Sequence, residues 1–315
     1  MTTHQLGTLA RRAIHWHRPL MIFAAANAVL AVVAIVGMLV GHQHIAGSLA
    51  WFKPFKFAMS FVLYCTAWAW LISLSTKGSR LLWWAGTIAV ATGAIEQVVI
   101  VLQVVRGTRS HFNNTTPFNS TLWSVMTFSI VVLFVATLAV GVMLAFQRLA
   151  DAPTTWAIRL GIALSLVGMG VAFLMPGRQS GVKDVAGAHT VGAPDGTPGM
   201  PLTGWSTTAG DLRIPHFVGM HALQLLPLFA AVLTLLAPRI PLLRSTSTRL
   251  GLVLTVAAGY AGTLAVLTWQ ALRGQPLIHP DGATLIAFAL LITLVAAGTA
   301  ITLASTPVAT PEVVR

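Results

Sequence analysis

The stretch from Gly204 to Phe229 reads GWSTTAGDLRIPHFVGMHALQLLPLF. Its first third is polar and glycine-rich and ends near Asp211 and Arg213. The remainder is apolar for long enough to enter a bilayer. Pro215 suits the first turn of a helix, where its missing N–H costs no hydrogen bond. The expected helix carries His216, His221 and Gln224 into a region where hydrocarbon is the solvent. His221 lies six residues past Pro215, so about 9 Å deep at 1.5 Å per residue.

The rest of the chain is of the same kind. Of its 315 residues, 56% are hydrophobic and 8% are charged, against about a quarter charged in soluble domains. Eight apolar runs reach the spanning length of about 20 residues, at roughly 19–41, 55–75, 81–105, 121–147, 156–175, 215–237, 249–271 and 283–304. The expectation is an all-α, polytopic membrane helix bundle, one domain over 1–315, with eight transmembrane helices in contact with lipid. The connections are short except the one at 176–214, which is long enough to cover a site or to move freely.

The net charge of +12 does not call for nucleic acid, because the basic residues sit in short loops beside apolar runs, where topology rules place them. Arg11 and Arg12 precede a first run too long for the core of a signal peptide, so it reads as a retained span. With the N-terminus inside, eleven of the nineteen Lys and Arg fall on the inner side and eight on the outer. That bias favours a cell (inner) membrane protein with both termini cytoplasmic and the 176–214 loop outside. The single Cys65 excludes an internal disulfide.

A faint repeat runs through the chain. The third span ends Gln103-Val-Val-Arg106-Gly107 and the seventh Gln270-Ala-Leu-Arg273-Gly274. The second opens Pro54-Phe-Lys-Phe-Ala58-Met59-Ser60 and the sixth Pro215-His-Phe-Val-Gly219-Met220-His221. These matches suggest two parallel four-helix halves, 1–150 and 151–315, related by an axis along the membrane normal.

Glu96 is the most costly residue to bury. It lies ten residues inside Arg106, about 15 Å from the boundary, near the middle of a core about 30 Å thick. A carboxylate there is paired, protonated or beside water. Gln103 and Arg106 follow on roughly the same helix face. Two readings stand for Glu96: a group in a binding or catalytic pocket, or a polar clamp between helices. Glu96 and His221 are the candidate acid and base, with Gln224 beside them on the floor of a polar cavity.

Lys53, Lys56, Arg106, His111, His216 and Arg273 are expected at its rim. Ser60, Gln103, Asn113 and Gln270 are further candidate ligand-binding residues. Arg suits bidentate contact with a carboxylate or phosphate. The alternative for the basic and aromatic residues is anchoring at the headgroups. A metal held by His216, His221 and His111 would need more than a regular helix, since five residues separate the first two by about 140°. No nucleotide-binding loop, nucleophile elbow or His-Glu-x-x-His pattern is present.

Eight helices in two like halves, with a membrane Glu and helix-borne His, resemble haem A synthase-type proteins. That arrangement implies paired His on two helices of each half to ligate haem. The fourth and eighth spans here contain no His, so the haem role is not carried over. The leading expectation is a small-molecule or ion carrier, possible proton coupling residing in Glu96, that takes a polar or anionic ligand from the outer side. The alternatives are an intramembrane enzyme or redox protein with a metal or haem site on the outer side, and a structural subunit.

Overall fold

A computed structural model describes residues 15–201 and 203–305. Among them are eight helices long and apolar enough to cross a membrane. They are α1 (Arg18–Val40), α2 (Phe52–Leu74), α3 (Ser79–Val105), α4 (Pro117–Ala145), α5 (Ala152–Val171), α6 (Arg213–Leu236), α7 (Thr246–Leu272) and α8 (Gly282–Ala304). The chain is a polytopic membrane helix bundle. Two short antiparallel ladders lie in its connections: β1 (His44–Ile45) with β2 (Ser48–Leu49), and β3 (Thr190–Val191) with β4 (Gly210–Asp211). Arg11, Arg12 and Arg315, three of the eleven basic residues on the expected inner side, lie outside the described residues.

Several helices begin earlier than their apolar runs. α4 starts at Pro117 and α5 at Ala152 because polar side chains before them accept the first free N–H groups. Thr116 accepts from Asn119, Asp151 from Thr154, Ser245 from Thr248 and Asp281 from Thr284. Such caps hold a first turn that can sit at the headgroups. α6 starts at Arg213, so Pro215 is its third residue, still among the four positions whose N–H has no intrahelical partner.

The helices pair as α1–α2, α2–α3, α3–α4 and α1–α3, then as α5–α6, α6–α7, α7–α8 and α5–α7, and the two sets meet at α4–α5 and, less extensively, at α2–α6. α5 and α6 make the most extensive interface. Gly168 and Gly219 face each other there so closely that a Cβ on Gly168 would lie 2.5 Å from the Gly219 Cα. In a bilayer, where apolar side chains gain nothing by leaving lipid, such close backbone approach is what drives helix association. α8 packs on α7 and is otherwise bare: 6% of its apolar window is buried inside the protein.

Alternating direction puts the connections at 41–51, 106–116, 172–212 and 273–281 on one face, called the loop face. The turns at 75–78, 146–151 and 237–245 lie on the other, the closed face. Towards the closed face the interior is solid. Leu20, Trp68, Leu71, Leu82, Leu144 and Ile158 are each at most 2% exposed and form one cluster that joins helices from both halves of the chain. Leu226, Leu233 and Val253 continue it between α6 and α7. Gln147 ties off the surface above: its Oε1 accepts from the Thr76 and Lys77 N–H groups at 3.0 and 3.2 Å and from Ser75 Oγ at 2.9 Å.

Candidate functional site

Towards the loop face the interior opens into a chamber of about 800 Å3. Its walls are α2, α4 and α6, with α3 and α5 behind them, and the connection after α5 crosses its mouth. That connection is folded. β3 pairs with β4 so that Thr190 faces Asp211. The Asn114 and Ala186 N–H groups bond across to Asp184 and Phe112 carbonyls at 2.8 and 2.9 Å, which joins it to the α3–α4 turn. Lys56 Nζ donates to the Thr203 carbonyl at 2.8 Å, and Arg213 Nη2 to the Gly204 carbonyl at 2.7 Å. Asp211 is fully buried and its carboxylate accepts from the Ser206 N–H and from the N–H, Nε and Nη2 of Arg213. The start of α6 and the roof are thereby one piece.

Glu96, on α3, lines the chamber and is 1% exposed, and its Oε2 has no hydrogen-bond partner. Lys53, on α2, lines it too. Its ammonium makes no hydrogen bond among the described residues and stands 6.0 Å from the centre of the Phe57 ring. The chamber therefore holds a buried carboxylate and a half-buried ammonium that are not bonded to each other. A buried charged group left in that state is costly unless something else bonds to it.

The imidazoles are arranged around the same space. His111 sits among Phe57, Phe112 and Trp123, its ring centre 5.8 and 5.5 Å from those of Phe57 and Trp123. Phe112 holds a left-handed backbone, φ 58°, rare for a side chain of that size, and its ring meets those of Trp123 and His189 at 4.7 and 5.0 Å. His189 Nδ1 donates to Asp195 Oδ2 at 2.8 Å, and the same carboxylate accepts from the N–H groups of His189 and Thr190 and from the Thr190 hydroxyl. His216 Nδ1 donates to the Gly168 carbonyl at 2.8 Å. In both rings that bond leaves Nε2 as the free acceptor. His221 and Gln224 line the chamber deeper along α6.

Placement separates the residues singled out from the sequence. Lys53, Lys56, Ser60, Glu96, His111, His216, His221 and Gln224 all line the one chamber. Gln103, Arg106, Asn113, Gln270 and Arg273 do not. The Arg106 guanidinium donates to Gln103 Oε1 at 2.6 Å and Asn119 Oδ1 at 2.8 Å, and stacks on Phe118. Asn113 holds the α3–α4 turn through Thr108, Arg109 and Thr115. Gln270 Nε2 donates to the Pro276 carbonyl, and Arg273 pairs with Asp281. These five residues brace helix ends. Tyr260 of α7 donates to the Val218 carbonyl of α6. Among the described residues, no three His, Cys, Asp or Glu side chains gather as ligands for one metal ion. His111, His216 and His221 share the chamber without forming such a set.

Sequence reading missed His189 and Asp195. They flank Thr190-Val-Gly-Ala-Pro194, a turn that brings them together. The usable signal was an acid and an imidazole six residues apart across a Gly-Pro turn. Comparison with family models, curated proteins and solved structures gives no match to this chain.

The roof is pH-sensitive by construction. Burial would raise the Asp195 carboxyl, but the His189 bond and charge and the Thr190 donors outweigh it and hold it below the usual carboxylate range. Burial lowers His189; the bond to Asp195 opposes this, and the charges of Arg213 and Lys53 add to the lowering. Burial and the neighbouring charges of Lys53, His189 and His216 put His111 well below its usual value. All three groups have folded values below their unfolded ones, so the unfolded chain binds more protons in acid. Their contributions are then complete above the unfolded values and decline as pH falls, first for the histidines, below about 6.5. Protection of the amides at 185–201 against hydrogen exchange, corrected for intrinsic rates, is expected to be greatest at pH 7–8 and to fall below about 6.5. Exchange that is pH-independent after correction for intrinsic rates would contradict this account.

Proposed function

We propose that the protein is a membrane-embedded enzyme that performs acid–base chemistry on a ligand held in the loop-face chamber. The observation that carries this reading is the Asp195–His189 pair set over a chamber that also holds the unbonded Glu96 and Lys53. A carboxylate on Nδ1 fixes the tautomer and leaves Nε2 as a base, and it stabilises the imidazolium once a proton is taken. Glu96, at a depth where a carboxyl is protonated or ligand-paired, donates a proton of its own to the ligand, and the proton taken by His189 passes to Glu96 through solvent when the product leaves. Lys53 stabilises negative charge that develops between them.

A carrier needs a second path to the other side. The closed face is filled by Leu20, Trp68, Leu82 and Leu144 and their neighbours, so one-sided chemistry fits better than alternating access. The loop face is read as the outer one, from the distribution of basic residues. A two-half organisation is supported by the matching helix pairings. It is also supported by two like caps, in which Gly107 and Gly274 take φ of 71° and 74° and the next residue's N–H bonds back to Gln103 and Gln270.

The test is conversion of a membrane lipid extract by the purified protein, followed by mass spectrometry. The wild type is expected to deplete one component. His189→Gln is expected to lose at least about 100-fold in rate, with the eight spans still folded. An equally active His189→Gln variant overturns the reading. So does a wild type that leaves the extract unchanged but moves solute into sealed vesicles.

A further inference from the structure

We propose that the ligand is a single-chain amphiphile with a compact acidic head, a phosphate or carboxylate that also carries a hydroxyl, and that it enters sideways from the bilayer between α4 and α5. This rests on the chamber being a ligand site but not on the chemistry assigned to His189.

The chamber is zoned along the membrane normal. Its loop-face end holds Lys53, Lys56, Arg109 and Arg213 against Glu96 and Asp195. Asp195 is occupied by His189, Arg213 by Asp211, and Lys56 by Thr203. Lys53 and Arg109 remain, and neither side chain makes a hydrogen bond among the described residues. Two free cations beside a space of this size ask for an anion, and a phosphate or carboxylate satisfies both. Glu96, with Oε2 unpartnered, is the acceptor for a hydroxyl of the same head.

The deeper end is mostly apolar. It is lined by Phe61, Tyr64, Ile130, Met169 and Met220, with His221 and Gln224 on its α6 side, and a free polar solute would leave most of this part unfilled. An acyl or isoprenoid chain fills it, and flexible methionines suit a chain of variable shape.

The way in is marked by one aromatic pair. Phe134 of α4 and Phe173, in the turn just after α5, both line the chamber. Their rings meet edge to face at 5.4 Å, and Phe173 is 45% exposed. On this proposal its exposed side faces lipid, and the pair separates the bilayer from the chamber. Two rings in edge contact can part by rotamer changes alone, without breaking a backbone hydrogen bond.

The experiment uses the full-length protein with three probes: oleoyl lysophosphatidate, oleoyl lysophosphatidylcholine and glycerol 3-phosphate. Lysophosphatidate is expected to bind at least tenfold more tightly than the phosphocholine analogue and a hundredfold more tightly than glycerol 3-phosphate. Lys53→Gln should remove at least tenfold of its affinity while Lys77→Gln, on the closed face, retains it. Phe134→Ala with Phe173→Ala should speed capture of lysophosphatidate from phosphatidylcholine vesicles at least threefold. Phe173→Leu serves if the double variant is unstable. Equal binding by Lys53→Gln, or preference for the soluble phosphate, overturns the ligand class. An unchanged or slower capture rate overturns the sideways route. Lysophosphatidate bound as expected but never converted would sink the enzyme reading alone.

Discussion

Gly168→Ala is expected to lower the melting temperature sharply and to disturb the chamber, although it adds one methyl group. That methyl would lie 2.5 Å from the Gly219 Cα and 2.6 Å from the Gly219 carbonyl carbon and the Met220 nitrogen. All three are backbone atoms of α6, so no side chain can swing aside and the helices must part. Overpacking of this kind costs about 1–3 kcal/mol. A second loss follows, because the Gly168 carbonyl accepts the His216 Nδ1–H bond, worth about 1 kcal/mol. Gly170 lies two residues on in the same helix, and a Cβ there would meet nothing within 4 Å. Gly170→Ala should therefore be neutral or stabilise by up to about 1 kcal/mol, the ordinary helix preference for Ala over Gly. The readout is thermal unfolding in detergent followed by size-exclusion fluorescence. Equal behaviour of the two variants would show that α5 and α6 do not touch through their backbones.

Asp211→Ala should release the roof. The carboxylate is fully buried, and its hydrogen bonds hold Ser206, the first turn of α6 and the Arg213 guanidinium together. Removing it leaves Arg213, three-quarters buried, without its counter-ion. Breaking one side of a buried pair costs about 3–5 kcal/mol, a large part of the stability of a domain. The eight helices draw on packing elsewhere, so the loss should be local: faster proteolysis between 176 and 212 with the spans still inserted. Asp211→Asn keeps the shape and one acceptor and should fall between. Replacing both partners, as Asp211→Leu with Arg213→Met, should recover part of the loss, since no charge is then stranded. Proteolysis at the wild-type rate in Asp211→Ala would mean that the roof is held by other contacts.

The architecture was legible because bilayer solvent imposes length: eight runs of about 20 apolar residues have few other uses. Glu96 and His221 were legible for the same energetic reason, as polar groups too deep to be incidental. The boundary residues were not. A helix-face argument carried Arg106 along with Glu96, but the chain turns at Gly107 and the guanidinium is drawn to Asn119 instead. Arg273 likewise turns to Asp281. The roof was opaque because it is held largely by backbone bonds, such as Met200 N–H to the Trp205 carbonyl at 2.7 Å. Gly and Pro permit that path without leaving a periodic pattern. His189 and Asp195 meet only because of it.

The bareness of α8 has a mechanical consequence. At 23 residues it is about 34 Å long, a few ångströms more than the average hydrocarbon thickness. Lipid surrounds most of its circumference, and its one substantial neighbour is α7. A change in bilayer thickness is met most cheaply by tilting a rod held along a single seam. The α5–α6 pair, locked glycine to glycine, cannot yield in that way. Swelling or thinning of the membrane is thus absorbed at the periphery, and the geometry around Glu96 and His216 is insulated from it.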